Sequence, residues 1–266
     1  MARLQIHMES MALRFTCQAD VHIPLLTPEK QMAGVRPEDY YSSDNKLPVM
    51  FLYHGGSGDK SDWFRFTRVE QLADQYGFVI VCPSAQNSCY MNMAYGPKWS
   101  DFVNEELYDR VHAMFPVSDD PDKNFAVGLS MGGYGAFRSA LKYPDRFGWG
   151  AGLSSGVHIP QETEVGTVGF PDKGLSHMGE GSPLGGPDDL FYAAEQLAKS
   201  GAKKPKLFSA CGQEDFTYAG NLWFANHLKA LGYDLTWISD HGSHEWDYWE
   251  EHIRQVCKWL PLSDKK

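Results

Sequence analysis

The chain has 266 residues, a hydrophobic fraction of 42% and a formal net charge of -10. Its length suits one large domain or two small ones, and its apolar content excludes a disordered chain. The acidic balance, without any basic stripe, argues against nucleic acid or an anionic membrane as a partner, because clustered Lys and Arg are needed to displace counterions.

Apolar runs and cysteines indicate where the protein acts. The longest apolar runs, 49–53 and 78–82, have five residues each, far short of the roughly 20 that span a bilayer. Residues 1–20 do not form the apolar centre of a signal peptide. The five cysteines are widely spread and have no CxxC spacing, which is typical of reduced thiols. We therefore expect a cytoplasmic protein without a membrane partner.

Strand and helix patterns alternate along the chain. The predicted strands are 11–18, 21–25, 49–53, 78–82, 124–127, 149–153, 205–211 and 235–239. The predicted helices are 69–76, 99–115, one that follows residue 132 and runs to about 143, 221–231 and 246–259. This alternation predicts an α/β fold, with a mostly parallel central sheet and helices on both faces. We expect residues 1–266 to form a single domain.

The segment 156–190 interrupts this alternation. It contains eight glycines and four prolines and has no apolar period. Such a segment is either a long surface connection or a cap or lid over a binding site.

The motif Gly128-Leu129-Ser130-Met131-Gly132 lies between a predicted strand and a predicted helix. In this pattern the serine occupies a strained turn that exposes its hydroxyl, and the flanking glycines avoid steric collision with the neighbouring strand and helix. A serine hydroxyl needs a positioned base to become an effective nucleophile. The sequence therefore predicts Ser130 as a nucleophile, with an acid and then a histidine following it along the chain.

Three histidines after the last predicted strand are candidates for the base. His252 falls inside the closing helix and is interpreted as structural. His241 follows the strand directly, whereas His244 lies in the loop before the helix, where it can fold back over the sheet edge. We select His244, with His241 in reserve.

The acid is expected in the loop after the 205–211 strand, where it can accept a hydrogen bond from the imidazole. Asp215 is our choice, and Glu214 is the chemically competent alternative. Asp240 and Asp247 are interpreted as solvated charges of a loop and a helix.

An oxyanion hole requires two backbone N–H groups directed at the developing negative charge. One is the N–H of Met131, directly after the nucleophile. The other is expected from the glycine-rich loop 54–58, with Gly56 as the preferred donor.

Four blocks, 49–58, 128–137, 210–216 and 242–249, together resemble the esterase-D-like branch of the α/β-hydrolases. Within that branch the chain is most similar to the tributyrin-esterase group, which is related to the acetyl and feruloyl esterases of carbohydrate esterase family one. The similarity runs from about residue 11 to 261.

This resemblance implies an α/β-hydrolase catalytic domain with Ser130 as nucleophile, Asp215 as acid and His244 as base. It also implies Gly56 and Met131 as oxyanion donors, and it favours His244 over His241. The chemistry needs no metal or organic cofactor, and relatives often form homo-oligomers.

The S-formylglutathione hydrolases are similar but fit less well. They usually have a histidine before the nucleophile, where this chain has Leu129, and they lack the aromatic run of residues 245–249. The loop 87–90 also departs from the tributyrin-esterase group, in which Gly-Trp often precedes the tyrosine.

The expected activity is that of a serine carboxylesterase acting on a small-molecule ester, with a short acyl group or an acetylated or feruloylated sugar. Tyr90, Trp246 and Trp249 are candidates to line an apolar acyl pocket. The competing hypotheses are an S-formylglutathione hydrolase-type thioesterase, a non-catalytic scaffold and a metal hydrolase. The metal hydrolase would use His241, His244, Glu245 and Asp247.

Overall fold

The computed structural model describes residues 2–42, 44, 46–157 and 185–262. These residues form one eight-stranded sheet in the order β1-β2-β4-β3-β5-β6-β7-β8. The strands are β1 (Ala2–Ser10), β2 (Phe15–Ile23), β3 (Val49–Tyr53), β4 (Val79–Pro83), β5 (Asn124–Leu129), β6 (Trp149–Leu153), β7 (Lys206–Gly212) and β8 (Leu235–Asp240). Strands β3 to β8 pair in parallel, and β1 and β2 pair antiparallel. The predicted mostly parallel sheet is confirmed.

Helices cover both faces of this sheet. Within the described residues they are α1 (Pro28–Met32), α2 (Pro37–Tyr40), α3 (Asp62–Phe66), α4 (Val69–Tyr76), α5 (Trp99–Asp101), α6 (Leu107–Met114), α7 (Met131–Lys142), α8 (Leu190–Ser200), α9 (Tyr218–Ala230) and α10 (Trp246–Trp259). A π-helical turn (Phe102–Glu106) joins α5 to α6, and a 3₁₀ turn (Pro121–Lys123) precedes β5.

Alternation along β3 divides the core into two layers. Phe51 and Tyr53 belong to the layer that packs under α6 to α9, whereas Met50 and Leu52 belong to the layer under α3, α4 and α10. All four side chains have no exposed surface. A strand buried on both faces has no polar alternation, which explains why this strand reads as a continuous apolar run.

The predicted opening strands, 11–18 and 21–25, have the wrong boundaries: residues 15–23 form the single strand β2, and the strand β1 at 2–10 was not predicted. Residues 11–14 form the turn of the β1–β2 hairpin, in which Arg14 has a φ of 64°. The backbone N–H groups of Met11 and Ala12 donate to the carboxylate of Glu106, which also accepts from the hydroxyl of Ser10. A distant carboxylate therefore stabilises a turn in a stretch whose apolar residues favour a strand.

Other helix predictions need smaller corrections. The expected helix 99–115 contains the π-helical turn, helix α9 begins at Tyr218 rather than at residue 221, and α8 had not been predicted.

The residues 158–184 of the expected cap segment 156–190 lie outside the described residues. Its C-terminal end is attached to α7 through Asp188, whose carboxylate accepts from Arg138 Nε at 2.7 Å and whose backbone oxygen accepts from the hydroxyl of Tyr134 at 2.6 Å. The side chain of Asp189 then caps α8 by accepting from the backbone N–H of Phe191. These contacts fix the point at which the chain returns to the sheet.

Candidate active site

Ser130 lies at the junction of β5 and α7, with φ 51° and ψ -121°, in the left-handed region that favours glycine. Its backbone N–H donates to the carbonyl oxygen of Leu153 in the neighbouring strand at 2.9 Å. A Cβ at Gly128 would lie 2.2 Å from the oxygen of Gly132, and one at Gly132 would lie 2.4 Å from the oxygen of Tyr53. Both flanking glycines are therefore required by close backbone approach, as the motif predicts.

Three side chains from distant parts of the chain meet at this turn. His244 Nε2 lies 3.0 Å from Ser130 Oγ, and His244 Nδ1 lies 2.9 Å from Asp215 Oδ2. An ionised carboxylate only accepts hydrogen bonds, so Nδ1 carries the proton and Nε2 presents its lone pair to the serine hydroxyl. This is the tautomer that can accept the hydroxyl proton during attack.

The carboxylate of Asp215 is buried and held by several donors. Its Oδ1 accepts from both the backbone N–H and the hydroxyl of Thr217 at 2.8 Å, in addition to the contact with His244. Burial acts to raise the pKa of Asp215, but the hydrogen bonds from His244 and Thr217 outweigh it, and the pKa lies below its ordinary value. The acid is therefore anionic at neutral pH and fixed in orientation.

The other candidate histidines and acids lie elsewhere. The side chain of His241 is 92% exposed and contacts Glu214 at 3.0 Å. His252 is buried in α10 and contacts Asp240 at 3.2 Å, and Asp247 is exposed. Asp240, expected to be a solvated loop charge, also accepts from the hydroxyl of a neighbouring tyrosine and joins the end of β8 to α10.

The four side chains of the alternative metal site do not converge. His241 and His244 face different carboxylates, and the exposed Glu245 accepts from the hydroxyl of Ser243. Among residues 2–157 and 185–262, apart from 43 and 45, no group of three or more His, Cys, Asp or Glu side chains has the arrangement of a metal site.

The two expected oxyanion donors belong to the helix that follows the nucleophile and to the loop after β3. Met131 is the first residue of α7, where a backbone N–H has no partner within the helix. The loop after β3 packs against the serine turn, since a Cβ at Gly55 would lie 3.5 Å from Ser130 Cβ. Gly56 follows, and the next N–H, of Ser57, donates to the side chain of Asn87 at 2.6 Å. The loop is thus fixed directly beside the turn.

His54 holds the start of this loop. Its Nδ1 is 2.7 Å from the carbonyl oxygen of Gly55, and its Nε2 is 2.9 Å from the backbone nitrogen of Ala85. Because the Ala85 N–H is a donor, Nε2 must accept and Nδ1 must carry the proton, so the ring is neutral. Burial lowers the pKa of His54, which agrees with this assignment.

The three aromatic residues expected in the pocket have different surroundings. Tyr90 has no exposed surface: its ring stacks on Tyr53 at 4.5 Å, and its hydroxyl donates to the backbone oxygen of His54. Through this hydrogen bond Tyr90 stabilises the start of the 54–58 loop. Trp249 is 5% exposed and lies perpendicular to the imidazole of His244, with ring centroids 5.0 Å apart. Both rings are therefore buried in this structure.

Trp246 is the most accessible of the three and lies in an aromatic row. Its ring contacts Trp249 at 5.1 Å, the buried Trp63 at 5.7 Å and the half-exposed Phe66 at 4.8 Å. This row extends from Trp249, which contacts His244, to the exposed ring of Phe66.

Two neighbours of the site were missed by sequence reasoning. Phe216 is 67% exposed, and its ring lies 4.5 Å from that of His244. It directly follows Asp215, so its position in the acid loop was an available signal. Ser154 contacts Trp249 through its hydroxyl, and no local sequence pattern indicates this contact.

Comparison with known proteins assigns the chain to a family. The family model Esterase, described as "Putative esterase", matches residues 27–260. The chain belongs to this esterase family.

An acetyl esterase of Caldicellulosiruptor saccharolyticus is 29% identical to this esterase over 98% of both chains. Two solved structures of Staphylococcus aureus proteins are similar throughout. The fluorophosphonate-binding serine hydrolase F has a TM-score of 0.85 at 27% identity, and an S-formylglutathione hydrolase has a TM-score of 0.83 at 28% identity. Each alignment covers 97% of this chain and 98% of the other.

These matches confirm the predicted esterase-D-like resemblance and the α/β-hydrolase fold, and the protein is a carboxylic ester hydrolase. Within the described residues, no helix is long and apolar enough to cross a membrane. The predicted cytoplasmic location, self-association and role of segment 156–190 stay predictions.

Proposed function

We propose that the esterase works through a Ser130–His244–Asp215 triad and a covalent acyl-enzyme. The observation that carries this proposal is the pair of contacts of one imidazole, 3.0 Å from the serine hydroxyl and 2.9 Å from the carboxylate. These distances let a neutral base accept the hydroxyl proton while the carboxylate stabilises the resulting imidazolium.

In the first half-reaction, Ser130 Oγ forms a bond to the ester carbonyl carbon as its proton passes to His244 Nε2. The N–H groups of Met131 and Gly56 donate to the oxyanion of the tetrahedral intermediate. The bond to the alcohol oxygen then breaks, and the alcohol leaves with the proton from His244. Water repeats these steps on the acyl-enzyme, which releases the acid and the free serine.

The substrate we propose is a small-molecule ester with a short acyl group. The acetyl esterase relative, matched along nearly its whole length, supports this class. The exposed ring of Phe216 beside His244, and the accessible Trp246 further along the aromatic row, offer apolar contacts to an acyl or alcohol group. Acetylated and feruloylated sugars fit the same chemistry.

The test begins with a fluorophosphonate probe and the Ser130→Ala variant. Phosphonylation is expected on Ser130 alone, and hydrolysis of p-nitrophenyl acetate is expected to fall at least about 10³-fold in the variant. Labelling at another serine, or ester cleavage that survives the loss of this hydroxyl, would refute the triad. Relative kcat/KM values for acetyl, butyryl and feruloyl esters then define the acyl preference.

The structural similarity to the S. aureus S-formylglutathione hydrolase favours one second candidate function, a thioesterase that hydrolyses S-formylglutathione. The same triad would carry out the reaction, with a thiol as leaving group. A kcat/KM for S-formylglutathione that exceeds the value for p-nitrophenyl acetate by more than about 100-fold, or about 2.7 kcal/mol of transition-state binding, would establish it.

A further inference from the structure

Ser154 occupies a strained and buried position directly after β6. It has no exposed surface, and its φ of 46° lies in the left-handed region. Its backbone N–H donates to the carbonyl oxygen of Ala210 in β7 at 2.8 Å. A non-glycine residue persists in this conformation only where its surroundings hold it, and such positions cluster at functional sites.

The hydroxyl of Ser154 is the acceptor for the indole of Trp249, whose Nε1 lies 3.1 Å from Oγ. An indole N–H can only donate, so this contact uses a lone pair of Ser154 and leaves the serine proton free to donate elsewhere. The plane of the same indole lies at 90° to the imidazole of His244, with ring centroids 5.0 Å apart. Trp249 therefore contacts the base directly and Ser154 through a hydrogen bond.

Burial acts to raise the pKa of Asp215, and the Ser154 hydroxyl is one of the groups that lower it, together with the hydrogen bonds from His244 and Thr217.

We propose that Trp249 and Ser154 are positioning residues for the triad. The Ser154 hydroxyl accepts from the indole N–H and fixes the Trp249 ring, and this ring packs against His244 and restricts the rotation of the imidazole. Loss of the hydrogen bond lets the indole move and leaves one side of His244 unsupported. This inference rests on the proposed triad and adds two residues that do not touch the substrate.

Two substitutions remove the hydrogen bond from its two sides. Trp249→Phe removes the N–H donor but keeps an aromatic ring beside His244, and Ser154→Ala removes the hydroxyl acceptor. Trp149→Phe and Ser155→Ala are matched controls, because Trp149 Nε1 and Ser155 Oγ are buried and have no hydrogen-bond partner among the described residues. Each variant is titrated with the fluorophosphonate probe, so that kcat is expressed per competent site.

We expect kcat to fall about 10-fold in Trp249→Phe and in Ser154→Ala, with KM within about two-fold of wild type, because a misplaced base slows the chemical step without changing ground-state binding. The controls should keep kcat within about two-fold. Because both variants remove the same hydrogen bond, the double variant should be no slower than the slower single variant.

The proposal is overturned if both variants keep the wild-type kcat per titrated site, or if their losses multiply in the double variant. A loss of titratable sites without a lower kcat, or the failure of both variants to yield titratable enzyme, would assign these residues a purely structural role. Failure of the wild-type enzyme to become labelled at Ser130 would instead refute the proposed triad.

Discussion

Replacing Asp215 with asparagine tests the catalytic geometry most directly, because the change is isosteric and its consequence follows from the hydrogen-bond donors around the carboxylate. Oδ1 accepts from the N–H and the hydroxyl of Thr217 at 2.8 Å, and Oδ2 faces His244 Nδ1 at 2.9 Å. The Thr217 N–H requires an acceptor. The asparagine oxygen will therefore occupy the Oδ1 position, and its NH₂ group will face the imidazole.

This orientation inverts the tautomer of the base. A donor opposite Nδ1 forces that nitrogen to accept, so the ring proton moves to Nε2, which faces Ser130 at 3.0 Å. A protonated Nε2 cannot take the hydroxyl proton. By analogy with the same substitution in serine proteases, we expect kcat to fall about 10⁴-fold, or about 5.5 kcal/mol in activation free energy.

The assay is steady-state hydrolysis of p-nitrophenyl acetate, with circular dichroism and thermal unfolding as checks on the fold. Glu214→Gln is the matched control. This neighbouring side chain contacts the exposed His241 and the N–H of Gly242, and glutamine keeps an acceptor. It should stay within about three-fold of wild type. A kcat for Asp215→Asn within ten-fold of wild type, in a folded enzyme, would refute the tautomer argument.

Three further perturbations test the framework of the site. Gly128→Ala brings a Cβ to 2.2 Å from the backbone oxygen of Gly132, so we expect a loss of about 3 kcal/mol or more in urea unfolding and fewer fluorophosphonate-reactive sites; normal stability would contradict the close approach. Burial lowers the pKa of His54 below its unfolded value, so the unfolded chain binds a proton more readily, and stability is lost as the pH falls below about 6.5, by up to about 1.4 kcal/mol per pH unit. His54→Gln should lack this part of the pH dependence in urea titrations at successive pH values, and an unchanged slope would contradict the assignment. Arg138→Met leaves the carboxylate of Asp188 without the cation that now lies 2.7 Å away, and we expect a loss of about 2–4 kcal/mol in the same urea assay; a variant as stable as wild type would show that this pair does not hold the returning chain.

The serine turn was predictable because its signals are local. The apolar strand, the two glycines and the start of the helix lie within a few residues of each other, and their spacing alone indicates a strained strand-to-helix turn. His244 and Asp215 were selected from the expected chain order of nucleophile, acid and histidine and from their positions in loops after predicted strands, and the family resemblance then favoured His244 over His241. The geometry brings these three selected side chains together.

Contacts between distant segments could not be predicted in this way. The hairpin turn at 11–14 depends on Glu106, more than 90 positions further along the chain. Tyr90 was predicted to line the acyl pocket because it is an aromatic residue in a loop near the site. It is buried because a glycine in α7, Gly135, leaves room for its ring: a Cβ there would lie 2.5 Å from Tyr90 Cδ2.

The ends of three adjacent strands explain how the strain at the site is sustained. Leu129, Leu153 and Ala210 are register partners across β5, β6 and β7. After Leu129, the Ser130 N–H donates to Leu153; after Leu153, the Ser154 N–H donates to Ala210. Both serines have positive φ angles, in the left-handed backbone region, and this conformation costs about 1–3 kcal/mol at each position. Each keeps a ladder hydrogen bond to the next strand while its side chain turns out of the sheet. The parallel register therefore places the proposed nucleophile at one strand end and, at the next strand end, the hydroxyl that holds Trp249 beside the proposed base.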